Sequence, residues 1–133
     1  MIGIDIVKIQ RIESMFERFG DKAFKKFLCD AEIQIASSIS TIAGFFAAKE
    51  AVSKALGIGI SKECGFFDIQ IHKDSKKAPY FTLSKHLIEK FHITDTSLSI
   101  THDGGFVIAV AAIEGQRISP KKLFHDSPTS DKL

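Results

Sequence analysis

Three places in this chain put polar side chains where the local pattern does not call for them, and each could do chemistry. Asp5 interrupts the apolar run Ile2-Gly3-Ile4-Asp5-Ile6-Val7. An ionised carboxylate in so short a strand is costly to bury unless it meets a partner or a cation. Glu50 and Lys54 stand four apart within residues 46–57, and so share one helix face with Ser53 and Gly57. His102 opens the tight turn expected at His102-Asp103-Gly104-Gly105, with Thr101 and Asp103 beside it, and a histidine so placed could do chemistry. Each has a plainer reading. Asp5 could bridge to a lysine, and His102 could simply bond to backbone. The Glu50–Lys54 pair could be a solvated one worth about 0.3–0.5 kcal/mol. For the helix pair in isolation, the plainer reading is the better one.

The elements that must position these groups follow from periodicity. Ile2, Ile4 and Ile6 alternate with Gly3, Asp5 and Val7 at the two-residue period of a strand. Ile12, Met15, Phe16 and Phe19 recur at three- and four-residue spacing, predicting a helix over about 9–28 broken near Gly20 and Asp21. Arg11, Arg18, Lys22 and Lys25 fall on another face of it. Ser40 or Thr41 should cap a second helix running to Leu56, with Gly57 as its left-handed stop. Phe67, Ile69 and Ile71 then alternate as a strand, a turn leads into a second over 80–83, and Ser84 starts a short helix to Phe91. The last strand pair is expected over 97–101 and 106–113. Helices early and antiparallel strands late make the fold class α+β, a small antiparallel sheet packed against a long helix.

The 133 residues, 44% hydrophobic and 26% charged, suit one soluble domain and exclude wholesale disorder. A net charge of +2, with Glu13, Glu17 and Asp21 interrupting the basic stripe, argues against a nucleic-acid partner. Cys29 and Cys64 have no neighbours at zinc-finger spacing and make no disulfide framework, which fits a reducing compartment. No signal-peptide core or membrane span is evident, so a cytoplasmic protein with no membrane partner is expected. The glycines at 57 and 59 follow a helix instead of opening one, so they are not a dinucleotide loop. Composition shifts after Glu114: the folded unit is expected over 1–114, with a polar tail over 115–133.

Taken together, the three places resemble the holo-(acyl-carrier-protein) synthase family, the small bacterial 4′-phosphopantetheinyl transferases. The family's opening motif stands here as Gly3-Ile4-Asp5-Ile6, followed by Arg11-Ile12. Its long helix motif is complete from Phe46 to Gly57, Gly59-Ile60 continues it, and its closing motif is similar to Ser99-Ile100-Thr101-His102. Two positions depart from it. Phe45 stands where the family often has Arg, so a phosphate contact expected there must be absent or supplied elsewhere. Lys77-Ala78-Pro79 replaces a Gly-Lys-Pro turn.

The resemblance implies transfer of 4′-phosphopantetheine from coenzyme A to a serine of apo acyl carrier protein, releasing adenosine 3′,5′-bisphosphate and supporting fatty acid biosynthesis. It implies Mg²⁺ held by Asp5 and Glu50, and a homotrimer with each site between neighbouring subunits. Hydrophobic strands such as 66–71 would give such a trimer something to bury. Lys54 would stabilise charge, and His102 would act catalytically or in binding; the general base stays open between His102 and water. Lys49, Ser53, Lys54, Gly57, Gly59, Pro79 and His102 would bind coenzyme A. Arg11, Arg18, Lys22 and Lys25 would dock the acidic carrier. The rival readings are a non-catalytic nucleotide-binding trimer and a different coenzyme A enzyme, such as an acyltransferase.

Overall fold

In the computed structural model, which describes residues 1–128, a 17-residue helix organises everything else. That helix, α3 (Ile39–Ala55), is buried nearly all round, because Ala43, Ala47, Ala48, Ala51 and Ala55 let neighbours approach its backbone. Its cap is Ser38, whose hydroxyl accepts from the Thr41 amide at 3.2 Å, so the helix starts before the expected Ser40 or Thr41. It ends at Gly57 in the left-handed region, φ 78°, as the sequence predicts.

Strand β1 (Ile2–Lys8) leads into α1 (Ile9–Phe19) and then a 3-10 turn (Gly20–Lys26), so the long early helix does break at Gly20. A short helix, α2 (Asp30–Ile35), has no counterpart in the sequence reading; six residues are too few to show a helical period. After α3, the expected strand from Phe67 begins only at Ile69, because residues 66–68 form a 3-10 turn held by Asp68. Strands β2 (Ile69–Lys73) and β3 (Pro79–Leu83) pair as a two-stranded sheet, so this region is not left unpaired for another subunit. Helix α4 (Lys85–Lys90) precedes the hairpin of β4 (Asp95–Asp103) and β5 (Phe106–Glu114).

The second sheet has the order β1-β5-β4, all antiparallel. Its inner face packs on α3. Gly3 makes that contact possible, since a Cβ there would collide with the Ala51 carbonyl and the Ala55 amide. The inner face therefore carries Gly3, Asp5 and Val7 from β1, and the isoleucines turn outward. Ile2, Ile4 and Ile6 are 72%, 59% and 58% exposed, and Val110 and Phe106 extend this apolar face on β5. Beyond Glu114, Gln116 donates to the Phe91 carbonyl at 2.7 Å, and no helix or strand follows among the described residues. Residues 129–133 of the expected tail lie outside the described residues. No helix among the described residues is long and apolar enough to cross a membrane.

Candidate active site

The close packing of β1 on α3 brings Asp5 and Lys54 together across 49 positions of sequence. Lys54 Nζ donates to Asp5 Oδ1 at 2.7 Å and to the Ile4 carbonyl at 3.3 Å. Glu50, one helical turn before Lys54, shares the same face and is half-buried. Burial, and then the charge of Asp5, pushes the Glu50 carboxyl above its usual value, while Lys54 and Arg11 pull it back. Arg11 reaches this region from α1, its guanidinium 5.1 Å from the centre of the Phe46 ring. So the plainer reading of Asp5 is half right. It has its lysine, while Glu50 is in no salt bridge among the described residues and feels Lys54 and Arg11 only as nearby charges.

That half-buried carboxylate outside any salt bridge is the chemically informative feature. Glu50 pays a burial cost that a bound cation would remove. No cluster of three or more His, Cys, Asp or Glu suited to a metal exists among the described residues. A two-carboxylate site leaves the remaining positions to ligand oxygens and water, which is how Mg²⁺ is commonly held beside phosphates. The donor set fits that ion.

Other expected residues behave differently. Lys49 is fully buried, and its ammonium donates to Glu32 Oε1 at 2.8 Å and to the carbonyls of Phe27 and Phe66 at 2.7 and 2.9 Å. Burial lowers its pKa, opposed by the Glu32 hydrogen bond and charge. With every donor engaged, Lys49 is a structural residue and has nothing to offer coenzyme A. Ser53 is also buried and donates to the Glu50 carbonyl at 2.7 Å. The amides of Gly57 and Gly59 close the end of α3 on the carbonyls of Lys54 and Ser53, so neither is free for a phosphate. What the two glycines give is open space, since a Cβ at either would meet nothing within 4 Å.

His102 lies inside β4, not at the start of the turn, which Gly104 and Gly105 make alone. It pairs with Val107 on β5, and Val107 pairs with Val7 on β1. Asp5 and His102 thus occupy opposite edge strands, which lie roughly 10 Å apart at ordinary strand spacing, and they stand two positions out of line along the sheet. His102 and Pro79 line a separate cavity of about 380 Å³ that Asp5, Glu50 and Lys54 do not line. Among the basic residues, Arg11, Arg18, Lys22 and Lys25 are all exposed. The helix α1 they surround is less amphipathic in place than its pattern suggests. Only Ile12 is buried in it, while Phe16 and Phe19 are 43% and 51% exposed. Arg18 and Lys26 lie over the Phe19 ring at 5.2 and 5.0 Å.

This architecture and site agree with comparisons to known proteins. The model of the 4′-phosphopantetheinyl transferase superfamily matches residues 1–111. The holo-[acyl-carrier-protein] synthase of Sulfurimonas denitrificans is 54% identical over 114 residues, covering 86% of this chain and 94% of that protein. That of Nautilia profundicola is 54% identical over 113 residues, covering 85% of this chain and 98% of its own. The crystal structure of the Helicobacter pylori enzyme in complex with coenzyme A superposes with a TM-score of 0.82 at 52% identity, covering 86% of this chain and all of that one, 100%. The motifs, the fold and the relatives coincide over the same residues, and the chain belongs to the holo-(acyl-carrier-protein) synthase family of 4′-phosphopantetheinyl transferases.

Proposed function

We propose that this transferase moves 4′-phosphopantetheine from coenzyme A to a serine hydroxyl of apo acyl carrier protein, with Mg²⁺, and so supports fatty acid biosynthesis in the cytoplasm. Residues 1–114 would carry the activity. The observation that supports it most is the pairing of Asp5 and Glu50 beside Lys54, with Glu50 in no salt bridge among the described residues. In the reaction the serine oxygen bonds to the phosphorus bearing pantetheine, the bond to the adenosine-side phosphate breaks, and adenosine 3′,5′-bisphosphate leaves. Mg²⁺ held by Asp5 and Glu50 would offset the charge that builds on the diphosphate oxygens. Lys54 would donate to a phosphate oxygen, most strongly as the leaving group gains charge. Gly57 and Gly59 would leave room for the nucleotide past the helix end, where a side chain would obstruct it.

Two features support the homotrimer that the family resemblance implies. The outward face of Ile2, Ile4, Ile6 and Val110 is a contiguous apolar surface of the kind that subunits bury. The site is also divided within one chain, with Asp5 on one edge strand and His102 on the other. A neighbour that supplies its β4 edge would bring His102 and Pro79 to the acidic pair. For the carrier, α1 offers Arg11 and Arg18, and the 3-10 turn after it Lys22 and Lys25, around exposed Phe16 and Phe19, which suits an acidic, partly apolar helix.

Incubation with coenzyme A, apo carrier protein and Mg²⁺, followed by intact-mass spectrometry, tests the reading. The carrier should gain one phosphopantetheine. A carrier of unchanged mass, with coenzyme A bound but intact, would point instead to a nucleotide-binding relative without catalysis.

A further inference from the structure

The cavity beside α3 holds two lysines that the family motifs do not account for. Its walls come from the start of α3, from the β2–β3 hairpin and from β4. They include Lys73, Lys77, His102 and four hydroxyl residues, and no carboxylate. Neither lysine is in a salt bridge among the described residues. A concave surface with two unpaired cations, hydroxyl donors and no acid is suited to an anion of charge near two.

The two lysines reach it in different ways. Lys73 continues the inner face of β2 after Ile69 and Ile71, both 1% exposed. Its ammonium lies 5.9 Å from the centre of the Phe45 ring, and Phe45 is itself 1% exposed. The aromatic face supports the stem while the charge stays at the cavity. Lys77 sits at φ 65°, a conformation that glycine would adopt without strain. The turn holding it is fixed by Asp74, whose Oδ1 accepts from the amides of Lys76 and Ala78 at 2.8 and 2.9 Å. That carboxylate faces its own backbone and does not line the cavity. A side chain kept at a position that favours glycine is a pointer to function.

We propose that Lys73 and Lys77 together hold a phosphomonoester dianion in this cavity, the 3′-phosphate of coenzyme A, and so set the preference for coenzyme A over its 3′-dephospho form. The inference rests on coenzyme A being the substrate. Phe45 cannot supply a charge at its own position; in this chain the charge comes from the hairpin opposite, with the phenyl ring as the floor beneath it. The acidic pair would deal with the diphosphate, and this cavity with the second phosphate group.

Calorimetric titration of the intact protein, in Mg²⁺, with coenzyme A and with 3′-dephospho-coenzyme A tests this. The wild type should prefer coenzyme A by about tenfold or more, as expected for charge-assisted hydrogen bonds to one dianion. In the double variant Lys73→Met and Lys77→Gly that preference should collapse, chiefly through weaker binding of coenzyme A. Methionine keeps an apolar stem over Phe45 and glycine relaxes the turn, so the melting temperature should hold. A wild type without preference, or a folded variant that keeps it to within about threefold, overturns the inference. A wild type that binds no coenzyme A defeats the transferase reading itself, whereas carrier modification with an unaltered preference defeats only the role of the lysines.

Discussion

Lys49 and Glu50 are neighbours in sequence, yet each anchors a separate acid–lysine group, and the two groups have opposite characters. Lys49 meets Glu32 with side chains 0% and 1% exposed, and Glu32 also accepts from the amides of Cys29 and Ile71 at 2.9 and 2.8 Å. One positive charge faces one negative charge, and no buried side-chain polar atom among the described residues lacks a partner. This knot ties α2, α3 and β2 together. Glu50, turned about 100° around the helix from Lys49, faces Asp5 and Lys54 instead. There the Lys54 and Asp5 side chains are 50% and 15% exposed, and Glu50 beside them is in no salt bridge among the described residues. A closed, balanced group holds a fold; an open group with a carboxylate left outside any salt bridge has both the charge and the access to take a cation.

The buried group should give the largest response to mutation. Lys49→Met should destabilise the protein by about 3–5 kcal/mol in a denaturant titration, because Glu32 is left charged and unpaired. Adding Glu32→Gln should return much of that loss. If Lys49→Met unfolded at the wild-type midpoint, the knot would not be structural. On the open side, Glu50→Gln should cut transfer at least about a hundredfold, close to 3 kcal/mol of transition-state stabilisation, with no loss of melting temperature. Unfolding of that variant would place Glu50 with Lys49 instead.

A smaller effect is expected from α1 and the 3-10 turn that follows it. Reversing charge at Arg18 and Lys22 should raise the Michaelis constant for the carrier about tenfold at low salt, with kcat held, and the difference should shrink as salt is added. An unchanged constant would remove α1 from docking. Mildest is the response to pH. Burial and Asp5 raise the pKa of Glu50, so the folded protein binds its proton more readily than the unfolded chain does. Without Mg²⁺, the stability from this group is present below the ordinary glutamate pKa and is lost as pH rises through the raised value. Mg²⁺ binding runs the other way, since it needs the carboxylate. The rise in melting temperature on adding Mg²⁺ should fade as pH is lowered toward that raised value. Glu50→Gln should show little rise at any pH, and an equal rise in both proteins would contradict the assignment.

The open group was far more legible in sequence than the closed one. Asp5 stood out as a charge in an apolar strand, and the spacing of Glu50, Lys54 and Gly57 fixed their common helix face. Glu32 gave no signal, because α2 is too short for periodicity and its partners come from remote segments. For the same reason nothing local told that Lys49 is buried while Glu50 is reachable. The alternation in β1 showed a strand but not which face was core, since both faces are apolar; Gly3 decides it by admitting the backbone of α3. His102 was placed in the turn because the polar run from 101 to 105 hides how far the β4 ladder extends.

The central claim is that Asp5 and Glu50 share one divalent ion. Titration of Mn²⁺ into the protein with coenzyme A present, followed by the paramagnetic resonance of the free ion, measures this most directly. One tightly held ion per chain is expected in the wild type, lost in Asp5→Asn and in Glu50→Gln while both remain folded. Undiminished binding in either variant would contradict it.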